Sequence, residues 1–92
     1  MSTERPRALY TFFGFTAGTD TFVHEIITTA GGRNVAAEAG IEGFRKLNEE
    51  VVVARDPEWL ILNSDNPTVP DSEAYNSTTA VRENNVVVLD AN

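Results

Sequence analysis

The sequence predicts an α/β fold with three layers and a small, mainly parallel sheet. Three apolar runs, at 8–13, 59–62 and 86–89, lack the strict alternation of half-exposed strands, which is typical of strands covered on both faces. Segments with helical spacing stand between these runs. With 92 residues, the chain is predicted to form no more than one small domain.

Residues 1–6 are predicted to be a disordered lead-in, because they are polar, Pro6 lacks an amide donor and chain ends are loosely held. The first strand is predicted over 8–13. The Gly- and Thr-rich stretch that follows, 14–19, is interpreted as a loop in front of a helix. In parallel α/β folds such strand-to-helix loops meet ligands.

The clearest helix is predicted from Thr19 or Asp20 to Ala30. Its apolar residues have the spacing of one helical stripe: Phe22, Val23, Ile26, Ile27 and Ala30. Thr19 or Asp20 is expected to cap the first turn, and Gly31 to take the left-handed conformation at the end. His24 is expected on the solvated side of the helix, since no partner for a zinc site stands at a suitable spacing.

The middle of the chain carries weaker signals. Residues 33–35 are predicted as a short strand, and 36–44, which has little periodicity, as a loop. Residues 47–54 are ambiguous, because a Val triplet favours a strand whereas Asn48-Glu49-Glu50 offers an N-cap and an acidic first turn. The Asp56-Pro57 pair behind this segment favours a helix that leads into the next strand.

The last third is predicted as a loop at 63–70, a weak helix or turn at 72–79 and a buried strand at 86–89. A parallel sheet normally covers both faces with helices, and no helix is predicted after the last strand. The chain is therefore interpreted as a fragment of a larger protein.

Composition excludes several function classes. The formal net charge is −7, with fourteen acidic and seven basic residues, which disfavours nucleic acid as a partner because phosphates require clustered Lys and Arg. With no cysteine and one histidine, thiolate and His-rich metal sites are not expected. Acidity with almost no Lys is typical of proteins from high-salt organisms. No run approaches the roughly 20 apolar residues that span a bilayer, so the chain itself is expected to be soluble.

Four segments, in matching order and spacing, resemble the C-terminal lobe of periplasmic-type binding proteins for siderophores, haem and cobalamin. They are the aromatic strand and loop ending in Thr21-Phe22, the stretch Ala30-Gly31-Gly32-Arg33-Asn34, the helix and strand at 47–62, and the closing segment 81–90. The resemblance implies a Rossmann-like lobe, in which residues 7–92 are part of the C-terminal lobe of a two-lobed protein. The family's N-terminal lobe has no counterpart in this sequence.

The resemblance implies transport rather than catalysis. Members of the family are substrate-binding components of ABC importers, which capture an iron-siderophore, haem or cobalamin between two lobes and dock on a membrane permease. The implied ligand is not covalently bound. The implied partners are the permease, the missing N-terminal lobe and the small-molecule chelate. The parent protein is expected at the extracellular face of the membrane with a lipid anchor, in a haloarchaeal-like organism.

The resemblance also implies two groups of site residues, with no catalytic residue and no metal site. Glu50, with Glu49 beside it, matches the family's carboxylate that pairs with permease arginines. The residues placed at the ligand cleft are Phe15, Thr16, Gly18, Thr19, Phe44, Arg45, Asn63 and Asp65. Phe44 offers a ring for stacking, and Arg45 suits anionic ligand groups.

An alternative interpretation is a stand-alone Rossmann-like domain that binds a nucleotide or serves as an enzyme subunit. The loop at 14–19 precedes a helix whose N–H groups suit a phosphate, but it lacks the GxGxxG and P-loop signatures. No Ser-His-Asp set can be assembled around His24. The chain is therefore predicted not to be an enzyme.

Overall fold

A computed structural model describes residues 5–90, which fold into a four-stranded sheet, a two-stranded sheet and five helices. In chain order the elements are β1 (Arg7–Thr11), β2 (Phe15–Ala17), α1 (Phe22–Thr29), β3 (Arg33–Asn34), α2 (Val35–Glu38), β4 (Phe44–Lys46), α3 (Glu49–Arg55), β5 (Trp59–Asn63), α4 (Glu73–Asn76), α5 (Thr79–Arg82) and β6 (Val86–Leu89). The predicted lead-in at 1–6 lies for the most part outside the described residues. Within it, Arg5 donates hydrogen bonds to the carbonyl oxygens of Gly31 and Gly32, at 3.2 and 2.7 Å.

The four-stranded sheet has the order β3-β1-β5-β6, and all of its pairs are parallel. This arrangement confirms the predicted α/β class and the three predicted strands. The predicted burial of the last strand is wrong, because β6 lies at the edge of the sheet and is only partly covered, with Val87 and Val88 43% and 52% exposed. The chain crosses from strand to strand through helices, as parallel pairing requires. Within residues 5–90, no helix is both long and apolar enough to cross a membrane.

Two clusters of buried side chains lie on opposite faces of this sheet. The larger contains Leu9, Val35, Ala36, Leu47, Val52, Leu60, Tyr75 and Ala80, and the smaller contains Ala8, Tyr10, Ala17, Val23 and Ile27. Consecutive β1 residues alternate between the clusters because side chains along a strand point to opposite faces. Burial of one large apolar side chain contributes about 1.5–3 kcal/mol, so these clusters carry most of the stability.

A tight turn ends the first strand earlier than the sequence predicted. β1 stops at Thr11, and Phe12 and Phe15 exchange two backbone hydrogen bonds of 2.9 and 2.8 Å. The two residues between them, Phe13 and Gly14, have φ angles of 49° and 83°. The chain therefore reverses at the position where the strand was predicted to continue.

The reversal creates a two-stranded sheet that the sequence did not predict. β2 pairs with β4 in antiparallel orientation, and a further hydrogen bond joins Gly18 N to Gly43 O at 2.9 Å. The predicted loops at 14–19 and 36–44 are therefore wrong, because the first contains β2 and the second contains α2 and the start of β4. Local patterns miss this pairing because the two strands lie far apart in the sequence.

Helix α1 confirms the predicted helix but begins later. Its N-cap is Thr21 instead of Thr19 or Asp20, since Thr21 Oγ1 accepts a hydrogen bond from His24 N at 3.1 Å. Gly31, just after the helix, has a φ of 92°, as predicted for the residue that ends it.

The predicted apolar stripe of α1 is only partly buried. Val23 and Ile27 are buried, whereas Phe22 and Ile26 are 51% and 42% exposed. His24 was predicted to be solvated, and this is wrong: the residue is half-buried, and its Nδ1 lies 3.2 Å from Asn34 Nδ2. The reason is that Asn34 folds back against the helix from the following strand.

Asp56 connects two helices. α3 confirms the helical interpretation of 47–54, with Asn48 as its N-cap, and Asp56 ends it with a φ of 42°. The Asp56 carboxylate accepts hydrogen bonds from Thr79 N and Thr79 Oγ1, both at 2.8 Å, at the start of α5. The segment 72–79, predicted as a weak helix or turn, contains α4 and the first residue of α5.

A buried amide, that of Asn34, joins β2, α1 and α2. Its Nδ2 donates to Ala17 O at 2.9 Å and lies 3.2 Å from His24 Nδ1, and its Oδ1 accepts from Ala36 N at 3.2 Å. Asn34 is 2% exposed. Its amide group therefore finds its hydrogen-bond partners inside the protein, as burial requires.

We expect Asn34→Ala to lower the free energy of unfolding by about 2–4 kcal/mol, because it removes a helix cap and leaves the buried Ala17 carbonyl without this donor. Urea unfolding followed by circular dichroism measures the change. Asn76→Ala, at an exposed position of α4, is the control and should change stability by less than about 0.5 kcal/mol. A loss at Asn34 no larger than that of the control would contradict the role of the amide.

The Asp56 carboxylate is expected to make stability depend on pH. Burial alone would raise the pKa of Asp56, but the hydrogen bonds from Thr79 and the charges of Arg7 and Arg82 outweigh it and hold the pKa below 3.8. A carboxyl group with a lowered pKa stabilises the fold above its unfolded pKa. This contribution is lost as the pH falls through the folded pKa.

We therefore expect Asp56→Asn to be less stable than the wild type at pH 7, with a difference that disappears as the pH falls through the lowered pKa of the folded Asp56 carboxyl group. The difference should not exceed about 1 kcal/mol, because the side chain is 43% exposed. Urea midpoints of both proteins from neutral to acid pH measure it. Asn tolerates the left-handed backbone of this position, so a difference that did not change with pH would show that the charge plays no part.

Candidate functional site

An open cavity lies where β1 and β5 end. Its volume is ≈ 490 Å³, and its lining residues are Tyr10, Phe12, Phe13, Phe15, Phe22, Phe44 and Asn63. All five phenylalanines of the chain are among them. We call this site the aromatic cavity.

The antiparallel pair β2–β4 supplies one wall of the aromatic cavity. Phe15 pairs with Lys46, and Ala17 pairs with Phe44, so the rings of Phe15 and Phe44 belong to the same face of this small sheet. Phe22, the first residue of α1, adds a third ring. These three rings are 45%, 51% and 51% exposed, so the wall presents aromatic surface to solvent.

The side chains at the floor of the cavity form hydrogen bonds and ring contacts with one another. Asn63 Nδ2 donates to the Tyr10 hydroxyl at 2.9 Å, and Asn63 Oδ1 accepts from Asp65 N at 2.8 Å. The rings of Tyr10 and Phe12 are stacked at 6.4 Å, and those of Phe12 and Phe13 meet edge to face at 4.7 Å. A rigid, largely apolar aromatic surface of this kind suits a flat ring system as its ligand.

The structure brings three of the predicted ligand residues together: Phe15, Phe44 and Asn63 all line the aromatic cavity. Arg45 and Asp65 are exposed but do not line it, and the Arg45 Nε donates to Glu42 O at 3.1 Å. Their ligand contacts stay predictions.

The wall of the cavity is supported on its buried side by Thr16, Gly18 and Thr19. Thr16 and Gly18 are buried, and a Cβ on Gly18 would lie 1.9 Å from Ile41 O, so only glycine allows the two segments to approach this closely. The Thr19 amide and hydroxyl both donate to Ile41 O, at 3.0 and 3.5 Å. A contact of these residues with ligand stays a prediction, whereas their place in the structure is to hold the β2–β4 pair.

Sequence reasoning missed four lining residues: Tyr10, Phe12, Phe13 and Phe22. The first three were assigned to a buried strand, and Phe22 to the buried stripe of a helix. The concentration of aromatic residues between positions 10 and 22 was a usable signal. It was not decisive, because a buried strand and an aromatic ligand site share that composition.

The two predicted docking carboxylates stand at the start of α3. Glu49 and Glu50 are exposed, and Glu50 N donates to Asn48 Oδ1 at 2.9 Å. The residue before the N-cap, Leu47, donates its N–H to Gly14 O at 2.8 Å, which ties the start of the helix to the turn at the cavity. Within residues 5–90, neither carboxylate forms an ion pair.

Nothing in the described residues builds a metal or phosphate site. No group of three or more His, Cys, Asp or Glu side chains between residues 5 and 90 is placed to hold a metal ion. The segment 14–19, which the nucleotide-binding alternative would need as a phosphate loop, contains β2 of a strand pair, and the first turn of α1 is capped by Thr21. The geometry therefore gives no support to the nucleotide-binding alternative.

A second, apolar groove of ≈ 290 Å³ lies between α1 and β6. Its lining includes Ile26, Ala30, Trp59, Ile61 and Val87. Trp59 and Val87 are 38% and 43% exposed, so this part of the sheet face is only partly covered.

Comparisons with known proteins agree with the geometry. Residues 2–92 match the protein family described as periplasmic binding protein. The chain is 35% identical over 98 residues to a cobalamin-binding protein of Halobacterium salinarum, a match that covers 96% of this chain. It also superimposes on the periplasmic haem-binding protein RhuT of Roseiflexus sp. RS-1 in its apo form, with a TM-score of 0.83, 31% identity and 97% of this chain covered.

A further solved structure shares the fold. The haem-binding protein BhuT in complex with two haems superimposes with a TM-score of 0.82 at 24% identity, over 96% of this chain. The chain spans only part of its relatives: 27% of the Halobacterium protein, 38% of RhuT and 37% of BhuT.

Proposed function

Because the chain belongs to the periplasmic binding protein family, we propose that it is part of the C-terminal lobe of the substrate-binding component of an ABC importer for cobalamin, haem or an iron-siderophore. The observation that carries this proposal is the aromatic cavity, which exposes several phenylalanine rings at one edge of the sheet. The relative named as a cobalamin-binding protein and the structural similarity to haem-binding RhuT support the same class of ligand.

The proposed mechanism is capture of a ring ligand between two lobes. The wall carrying Phe15 and Phe44 stacks against one face of the ligand, and the N-terminal lobe of the longer protein closes over the other. Lys46 is exposed and belongs to the same face of β4 as Phe44, where its positive charge suits carboxylate groups on a ligand. Arg45, on the other face of β4, stays a predicted contact for anionic ligand groups. The proposed role is binding and not catalysis.

The longer protein is proposed to act at the extracellular face of the membrane, held there by a lipid anchor. The acidic composition, with a net charge of −7, supports a high-salt organism as its source. The match to a protein of Halobacterium salinarum supports the same conclusion. Binding measurements therefore belong in concentrated salt.

We expect Phe44→Ala to weaken binding of cyanocobalamin or haemin about three- to tenfold, the loss expected for one aromatic stacking contact. Calorimetric titration of the longer protein in concentrated KCl measures the affinity. Val53→Ala removes an apolar side chain that is 59% exposed on α3, away from the cavity, and should leave the affinity unchanged. If the wild type binds neither compound nor a ferric siderophore, the proposed function is wrong.

The start of α3 is proposed as the surface that docks on the permease. An exposed carboxylate at a helix N-terminus is well placed for a bidentate arginine partner. Glu50 meets this description, with Glu49 next to it, and the hydrogen bond to Asn48 holds the backbone of that turn.

We expect Glu50→Arg, introduced into the longer protein, to reduce uptake of the ligand by cells about tenfold or more, because it places like charges against each other at the docking surface. Ligand affinity of the variant should not change. Glu73→Arg, at the exposed first turn of α4, is the matched control and should leave uptake unchanged. Equal uptake by the Glu50 variant and the wild type would contradict this docking surface.

A further inference from the structure

The backbone of Phe13 is in a conformation that a phenylalanine rarely adopts. Its φ is 49°, in the left-handed region, and Gly14 follows with a φ of 83°. A two-residue hairpin turn with both φ angles positive strongly favours Asn-Gly, since Asn tolerates the left-handed region and a bulky side chain does not. Phe13 therefore occupies the position at which Asn would form the better turn.

Packing inside the protein does not explain why a phenylalanine stands at this turn position. Phe13 is 62% exposed, the largest value among the large hydrophobic side chains that are exposed in the described residues. Its ring meets Phe12 edge to face, while its N–H donates to Asn66 Oδ1 at 3.2 Å. The backbone contact is available to any residue other than proline, so the turn does not require the ring. The ring does, however, line the aromatic cavity.

We propose that Phe13 is a ligand-contacting residue, held in a strained turn so that its ring stands at the rim of the aromatic cavity and stacks on a planar ring ligand. This inference rests on the proposed function. Strained backbone at an exposed position is retained where the side chain serves binding, at a cost in stability. The ligand class that fits is a flat macrocycle, since the neighbouring groups at this rim are also aromatic rings.

Replacing Phe13 by Asn is expected to change stability and ligand affinity in different directions. Phe13→Asn creates the favoured Asn-Gly turn and removes the ring. Its Tm is expected to stay level or to rise by up to about 4–8 °C, a shift typical of a modest gain in a domain of this size. Its affinity for cyanocobalamin or haemin is expected to fall about three- to tenfold. Phe13→Tyr keeps the ring and the strain, so it should retain the Tm and affinity of the wild type.

A second left-handed position supplies the matched control. Asn84 is exposed, has a φ of 58° and does not line the aromatic cavity. Asn84→Phe places a phenylalanine in the left-handed region at this position. It is expected to lower the Tm and to leave the affinity unchanged, which separates the cost of the conformation from the benefit of the ring.

Thermal unfolding of the chain by circular dichroism and calorimetric titration of the longer protein, both in concentrated KCl, complete the test. A clear fall in Tm for Phe13→Asn would overturn the inference, because Phe13 would then be a packing residue. Unchanged affinity of Phe13→Asn, beside a wild type that binds, would also overturn it while leaving the proposed function intact. A wild type that bound only a ferric siderophore would overturn the inference alone, and one that bound none of the three ligands would overturn both.

Discussion

The aromatic cavity depends on one buried side-chain amide, that of Asn34. A two-residue turn and three residue pairs do not hold a two-stranded sheet against a larger one, because an isolated hairpin is marginally stable in water. The Asn34 amide binds the end of β2 through Ala17 O, contacts α1 through His24 and caps α2. It thereby fixes the β2–β4 pair relative to the helix that contributes Phe22.

A second constraint acts at the same pair of strands. Gly18 lies so close to the Ile41 carbonyl group that no Cβ atom would fit between them. Thr19 donates hydrogen bonds to the same Ile41 carbonyl oxygen. Thr16, Gly18 and Thr19 therefore stand behind the wall, while Phe15 and Phe44 form its surface. The residues expected to touch the ligand and the residues that hold them in place are neighbours in the sequence, and burial separates the two groups.

The β2–β4 pair also determines where the chain exposes its large apolar side chains. Exposed phenylalanine rings cluster at the cavity, although a folded chain of this size gains stability by burying large side chains. Exposed apolar groups in a contiguous patch mark a surface that another molecule covers. The hydrogen bond from Leu47 N to Gly14 O links this surface to the start of α3, so the cavity and the two carboxylates proposed for docking share one local framework.

The sequence by itself determined the parallel strands, the helices at α1 and α3, the cap at Asn48, the left-handed stop at Gly31 and the family resemblance. Each of these follows from a pattern within about ten residues, such as apolar spacing, a cap or a glycine. Only the tertiary structure decided that Phe12 to Phe15 form a turn, that β2 pairs with β4, and that five phenylalanines line one cavity. The physical reason is that strand pairing and side-chain exposure depend on groups far apart in the chain. An aromatic residue at a strand end has the same local pattern whether it enters the core or faces a ligand.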